Sequence, residues 1–79
     1  MQIAAEEVLE SNIYQLCTAE VLYLRTAEQL YCRGVKTLRD LVQLSPQEVE
    51  YIARGYPGPT AEILEAADVV RFACTRLHD

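Results

Sequence analysis

Between Ile52 and Ile63 the chain reads Ile-Ala-Arg-Gly-Tyr-Pro-Gly-Pro-Thr-Ala-Glu-Ile, a bend rich in glycine and proline between two helical flanks. The chemistry on offer there is anion binding. Gly55 and Gly58 carry no side chain to hold a phosphate off the backbone, and the unpaired amides at the start of the next helix, aided by its dipole, donate to an anion. Pro57 and Pro59, however, each delete an amide donor, no lysine lies nearby, and Glu62 and Glu65 occupy the early turns of that helix. These subtractions tilt the bend toward a protein partner. For such a partner Tyr56, a ring held in a loop between glycines, is an exposed anchor of the kind that dominates interfaces.

The charge pattern points to a second region. The chain has 12 acids, 7 bases and a net charge of -5, which argues against indiscriminate binding to nucleic acid. Residues 1–24 hold four acids and no base, whereas residues 25–39 hold Arg25, Arg33, Lys36 and Arg39 against Glu28 alone, a local balance of +3. An anionic partner is therefore sought at 25–39, with Arg33, Lys36 and Arg39 as candidate protein contacts. Of the five tyrosines, Tyr14, Tyr23, Tyr31 and Tyr51 are expected to half-bury their rings and leave the hydroxyls wet.

The inventory for catalysis is thin. No histidine lies centrally, no serine or cysteine stands beside a base in an identifiable motif, and the carboxylates fall on helix faces where solvation is the default. Cys17, Cys32 and Cys74 form an odd set without a Cys-x-x-Cys pair, and the one histidine is His78, so neither a structural zinc nor a disulfide framework is expected. Cys32 beside Arg33 is read as a half-buried structural thiol. No enzyme activity, cofactor or metal is expected. The start of the chain carries Glu6 and Glu7 and lacks a basic, apolar leader, and no apolar run approaches the ~20 residues of a membrane span, so a cytoplasmic, soluble protein is expected.

These residues must be positioned by helices. Val8, Leu9, Ile13 and Leu16 recur at helical spacing, which predicts an amphipathic helix over 2–16. Thr18 can cap a second helix that buries Leu22, Ala27, Leu30 and Tyr31 and ends at Gly34, although Val21 to Leu24 could equally be extended. Thr37 precedes a brief helix near 38–43, and Ser45-Pro46-Gln47-Glu48 is a capping box with proline at the first helical position, opening a helix at 46–53 with Val49, Ile52 and Ala53 inward. After the bend, Pro59 or Thr60 opens the longest helix. Its stripe is Ile63, Ala66, Ala67, Val70, Ala73, Cys74 and Leu77, with Glu62, Glu65, Asp68, Arg71 and Thr75 away from it. All of this fits one all-α domain of 79 residues.

The bend and its flanks resemble the helix-hairpin-helix element of many DNA-contacting domains. More widely, Leu24-Arg25-Thr26-Ala27, Leu30, Gly34-Val35, Leu38, Asp40-Leu41-Val42, Leu44-Ser45, Glu48-Val49, Ile52 and Glu62-Ile63 resemble, in order, the C-terminal domain of the bacterial RNA polymerase alpha subunit. The resemblance spans residues 22–70 and implies a compact bundle of four to five helices, here preceded by an added helix at 2–16. It also implies a setting in transcription, with RNA polymerase or a transcription regulator as protein partner. For the alternative of DNA binding, it places Arg25 on the arginine that enters the minor groove and the family's asparagine, glycine, lysine and serine phosphate contacts on Arg54, Tyr56, Gly58 and Pro59; the candidate DNA contacts are Arg25 and, within the 54–60 hairpin, Arg54, Gly55, Gly58 and Thr60. Glu28 falls where the family has an asparagine. The expectation is a non-catalytic recognition module acting on a protein, a monomer or weak dimer whose first helix is the candidate self-association surface.

Overall fold

Helix ends decide the path of this chain. The computed structural model describes residues 5–77, and the side chains of 6–75. Six helical segments follow one another: α1 (Ala5–Leu9), α2 (Gln15–Thr18), α3 (Leu24–Cys32), α4 (Leu38–Val42), α5 (Pro46–Ile52) and α6 (Pro57–Leu77). The protein is all-α, and an isolated antiparallel bridge between Asn12 and Thr37 is the one β-type pairing among the described residues. No helix among them is long and apolar enough to cross a membrane. Residues 2–4 of the expected first helix, the Leu77 side chain and His78 lie outside the described residues.

Three helices close in the same way. Val21 N donates to Leu16 O at 2.8 Å and Glu20 N to Cys17 O at 3.1 Å after α2; Val35 N to Leu30 O at 2.9 Å and Gly34 N to Tyr31 O at 3.1 Å after α3; Gly55 N to Glu50 O at 3.0 Å and Arg54 N to Tyr51 O at 3.2 Å after α5. Such paired bonds satisfy the last carbonyls of a helix and require a left-handed residue just beyond it. Gly34, at φ 89°, meets the requirement freely, whereas Glu20 at φ 62° and Arg54 at φ 55° carry side chains there. Each of those two costs on the order of 1 kcal/mol.

Helix starts are equally explicit. At α4 the Thr37 hydroxyl accepts from Asp40 N at 3.2 Å while the Asp40 carboxylate accepts from the amides of Thr37 and Lys36 at 3.2 and 3.1 Å. At α5 Ser45 and Glu48 exchange the same pair of bonds at 3.1 and 2.9 Å, with Pro46 in the first turn where no amide is needed. The expected boundaries near 38–43 and 46–53 and the end of the preceding helix at Gly34 agree with this.

Elsewhere the chain departs from the expectation. The helix expected over 2–16 is broken, which makes six helical segments of an expected four or five. The Asn12 side chain accepts from Tyr14 N at 2.9 Å, while Ile13 N donates to Lys36 O at 2.9 Å and Leu38 N to Ser11 O at 3.0 Å, so residues 11–13 spend their backbone bonds on 36–38. Thr18 ends α2 instead of capping the next helix, because the left-handed Glu20 reverses the chain and α3 starts only at Leu24. Likewise α6 begins at Pro57, not at 59 or 60. Both prolines sit in the first turn, where the missing N–H has no intrahelical partner to lose, so they start the helix and do not exclude it. The bend thus shrinks to Ala53–Tyr56.

At about 31 Å for 21 residues, α6 is the spine, lying against α1, α4 and α5. Ile13, Leu30, Leu41 and Ile63 are wholly buried, and Ala66, Ala67 and Val70 continue the α6 stripe as expected, but Ala73 is exposed. Arg71 fastens the spine to the end of α4, donating to Val42 O at 2.8 Å while pairing with Asp68.

Candidate recognition face

The cations among the described residues differ in what they touch. Arg39 is structural: its Nε and a terminal nitrogen converge on one Glu10 oxygen at 3.0 and 2.9 Å, tying α4 to the segment after α1. Lys36 lies 5.5 Å over the ring of Tyr31, which itself meets the ring of Tyr14 at 5.4 Å and a tilt of 44°. Arg33 covers the ring of Tyr51 at 5.1 Å, and neither the Arg25 nor the Arg54 guanidinium has a carboxylate or hydrogen-bond partner among the described residues. The grouping of Arg33, Lys36 and Arg39 expected from their closeness in sequence therefore divides, because the turn at Gly34 sends the chain away from α3.

Arg25, Arg33 and Arg54 are brought together. Arg25, Gln29 and Arg33 recur at every fourth residue along one side of α3, and the α5–α6 turn sets Arg54 opposite them. With Glu28 and Ile52 they line a shallow depression of 310 Å³. A second depression beside it shares Arg25 and Gln29 and reaches Tyr56 and Gly58; a third shares Arg33 and Arg54 and reaches Tyr51. The three adjoin through these shared residues, with Arg25, Arg33 and Arg54 towards the middle, Tyr51 and Tyr56 towards the ends, and Glu28, Glu50 and Glu62 also on the walls of what we call the groove.

Tyr56 is exposed, as expected. Tyr51, at 70% exposure, and Tyr23, at 76%, are not half-buried but stand out in solvent, and Tyr31 lies at the edge of exposure; only Tyr14 keeps the expected half-burial. The projection of α5 carries the missed signal for Tyr51: with Val49, Ile52 and Ala53 inward, position 51 faces the opposite way.

The hairpin supplies fewer donors than its glycines promise. Tyr56 N donates to Ala53 O at 3.1 Å, Pro57 and Pro59 have no N–H, and Thr60 gives both its amide and its hydroxyl to Tyr56 O at 3.2 and 2.7 Å. At this end of α6 the amide of Gly58 is the one donor left among the described residues. Gly55 and Gly58 are open on the Cβ side, with nothing within 4 Å.

No family model, curated protein or solved structure matches this chain. What the face can bind follows from its own geometry.

Glu62 is not the solvated acid its position on the outer side of the helix predicts. Its two oxygens accept from Tyr23 N and the Thr26 hydroxyl, both at 2.8 Å, so a residue of α6 caps the start of α3, whose own N-cap side chain makes no cap bond. Thr26 is the one buried polar side chain of the described residues, and Glu62 satisfies it.

The shifted titratable groups are accounted for by local structure. Burial pushes the Cys17 thiol up, helped by Glu62 and Glu28, which keeps it protonated and unreactive at neutral pH. Burial likewise raises the Tyr14 phenol, with Glu28 adding to it. Asp40 is held below the usual carboxylate range by the amides of Lys36 and Thr37, and Glu48 by that of Ser45, so both shifts belong to helix starts. Cys32 is exposed, not half-buried, at the rim of the central depression.

Proposed function

We propose that this chain is a non-catalytic recognition module, similar to the C-terminal domain of the RNA polymerase alpha subunit and working in transcription, that binds a protein through the face made by α3 and the α5–α6 turn. The observation that carries the reading is the groove itself, in which Arg25, Arg33 and Arg54 lack carboxylate partners while Tyr51 and Tyr56 stand exposed at its ends. Arginine and tyrosine are the residues most often found as interface anchors. The order of short helix, tight turn and long helix over 46–77 supports the likeness to a helix-hairpin-helix element. The test is affinity capture from the native extract, read for RNA polymerase subunits and regulators. A partner retained by the parent chain and lost by Tyr56→Ala and Arg33→Ala, each folded by circular dichroism, supports the reading; capture indifferent to both overturns it.

A second reading is DNA binding through Arg25 and residues 54–60, favoured by the meeting of Arg25 and Arg54 in one depression. It predicts association with AT-rich duplex at low salt that weakens steeply as salt rises and disappears in Arg25→Ala. Unchanged amide shifts on titration with such duplex remove it.

A further inference from the structure

We infer that the groove across α3 and the α5–α6 turn takes an acidic peptide segment, with carboxylates at its middle and apolar side chains on either side; this rests on the protein-binding reading above and names the chemistry of the partner.

The charge complementarity is local. Three guanidiniums face the central depression against the single carboxylate of Glu28, in a chain whose net charge is -5. With acids in excess, two of the other cations are already paired, Arg39 with Glu10 and Arg71 with Asp68, while Arg25 and Arg54 are left without one. Arg54 is also kept where glycine fits better. Its φ of 55° closes α5 by the same bonds that Gly34 makes after α3, and at that price in strain its side chain lines two of the three depressions. Guanidinium forks match carboxylate oxygens two by two. The exposed rings of Tyr51 and Tyr56 extend the groove at both ends with surface that prefers apolar side chains.

The spacing of charge favours a peptide over a duplex. Double-stranded DNA presents about one negative charge per 1.7 Å along its axis, a continuous rail. Such a rail crossing this face meets Glu28, Glu50 and Glu62 as well as the arginines, and finds the Gly58 amide alone at the start of α6. A peptide can place two or three carboxylates on the guanidiniums of the central depression and keep clear of Glu50 and Glu62 at its ends.

The test uses the whole chain, isotopically labelled, at low salt. The probes are a short peptide with a Glu-Asp centre between Leu and Phe residues, the same peptide with Gln and Asn in place of the acids, and an AT-rich duplex. The acidic peptide is expected to shift the amides of residues 25–33, 51–56 and 58, and its amidated form to leave them unmoved. Arg25→Gln and Arg33→Gln each weaken the complex about fivefold. Arg54→Gly does the same while raising the melting temperature, which separates loss of binding from loss of fold. Variants that bind like the parent chain overturn the inference, as does a duplex that occupies the same residues more tightly than the acidic peptide. If the arginine variants are silent but Tyr51→Ala and Tyr56→Ala still release a captured partner, the acidic peptide is wrong and the protein-binding face stands. If the tyrosine variants release nothing either, that face is wrong as well.

Discussion

Two grooves of opposite charge meet along Tyr23, Gly58 and Glu62. One is the arginine groove; the other, 730 Å³ in volume, is lined by Glu20, Glu62 and Glu65 with Tyr23 and Leu24 beside them. They are built alike, since each borders a helix-closing turn in which a charged residue occupies the left-handed position, Glu20 in one and Arg54 in the other. They differ in what their charges do. Glu62 is consumed by two hydrogen bonds that start α3, whereas Arg25 and Arg54 are left unpaired. Charge that is already bonded holds the fold together. Charge left unbonded beside exposed rings is available to something else.

Ile63, wholly buried on α6 one residue after Glu62, is part of the core that supports the fold, and Ile63→Ala is expected to cost about 2–5 kcal/mol, enough to take both grooves together in a domain of expected stability ~5 kcal/mol. Thermal melting followed by circular dichroism reads it. Glu62→Ala should cost about 1–2 kcal/mol, because the Tyr23 amide and the buried Thr26 hydroxyl lose their acceptor. Hydrogen exchange should then show protection falling at the start of α3 first. A loss spread evenly over all helices contradicts the capping role.

Glycine at the two left-handed positions sharpens the contrast. Glu20→Gly and Arg54→Gly are each expected to gain about 0.5–1 kcal/mol, a rise of a few degrees in melting temperature. Only Arg54→Gly should also weaken an acidic ligand. The smallest effect is one of pH. Asp40 and Glu48 have lowered folded pKa values, so the unfolded chain binds more protons in that range, and their contribution is complete above the usual carboxylate range and lost as pH falls through the folded values. Urea melts in increasingly acid buffer should show this decline, and Asp40→Asn should flatten it. A decline unaltered in that variant places the acid sensitivity elsewhere.

What could be read from the residues was local. Ser45 with Glu48, Thr37 before Leu38, Gly34 after Cys32 and the run Ile63, Ala66, Ala67, Val70 each state an element through neighbours within four positions. The break at 11–14 was not legible, because its cause is a backbone pairing with 36–38. Nor was the start of α3, whose cap lies 39 residues away. Glu20 and Arg54 gave no sign of left-handed backbone because neither is a glycine. At the groove, Arg25, Arg33, Arg54 and Tyr56 were legible one by one. That Arg54 lies opposite Arg25 and Arg33, and that Arg39 answers to Glu10, depends on how the chain turns at Gly34 and Gly55.

The lacing of residues 11–13 to 36–38 has a practical side. Ile13 enters the core from that segment, and its amide occupies the carbonyl of Lys36, so a fragment cut to begin at residue 22 forfeits a wholly buried side chain and bares the linker between α3 and α4. Anyone transplanting the arginine groove into another protein has to carry residues 11–21 with it.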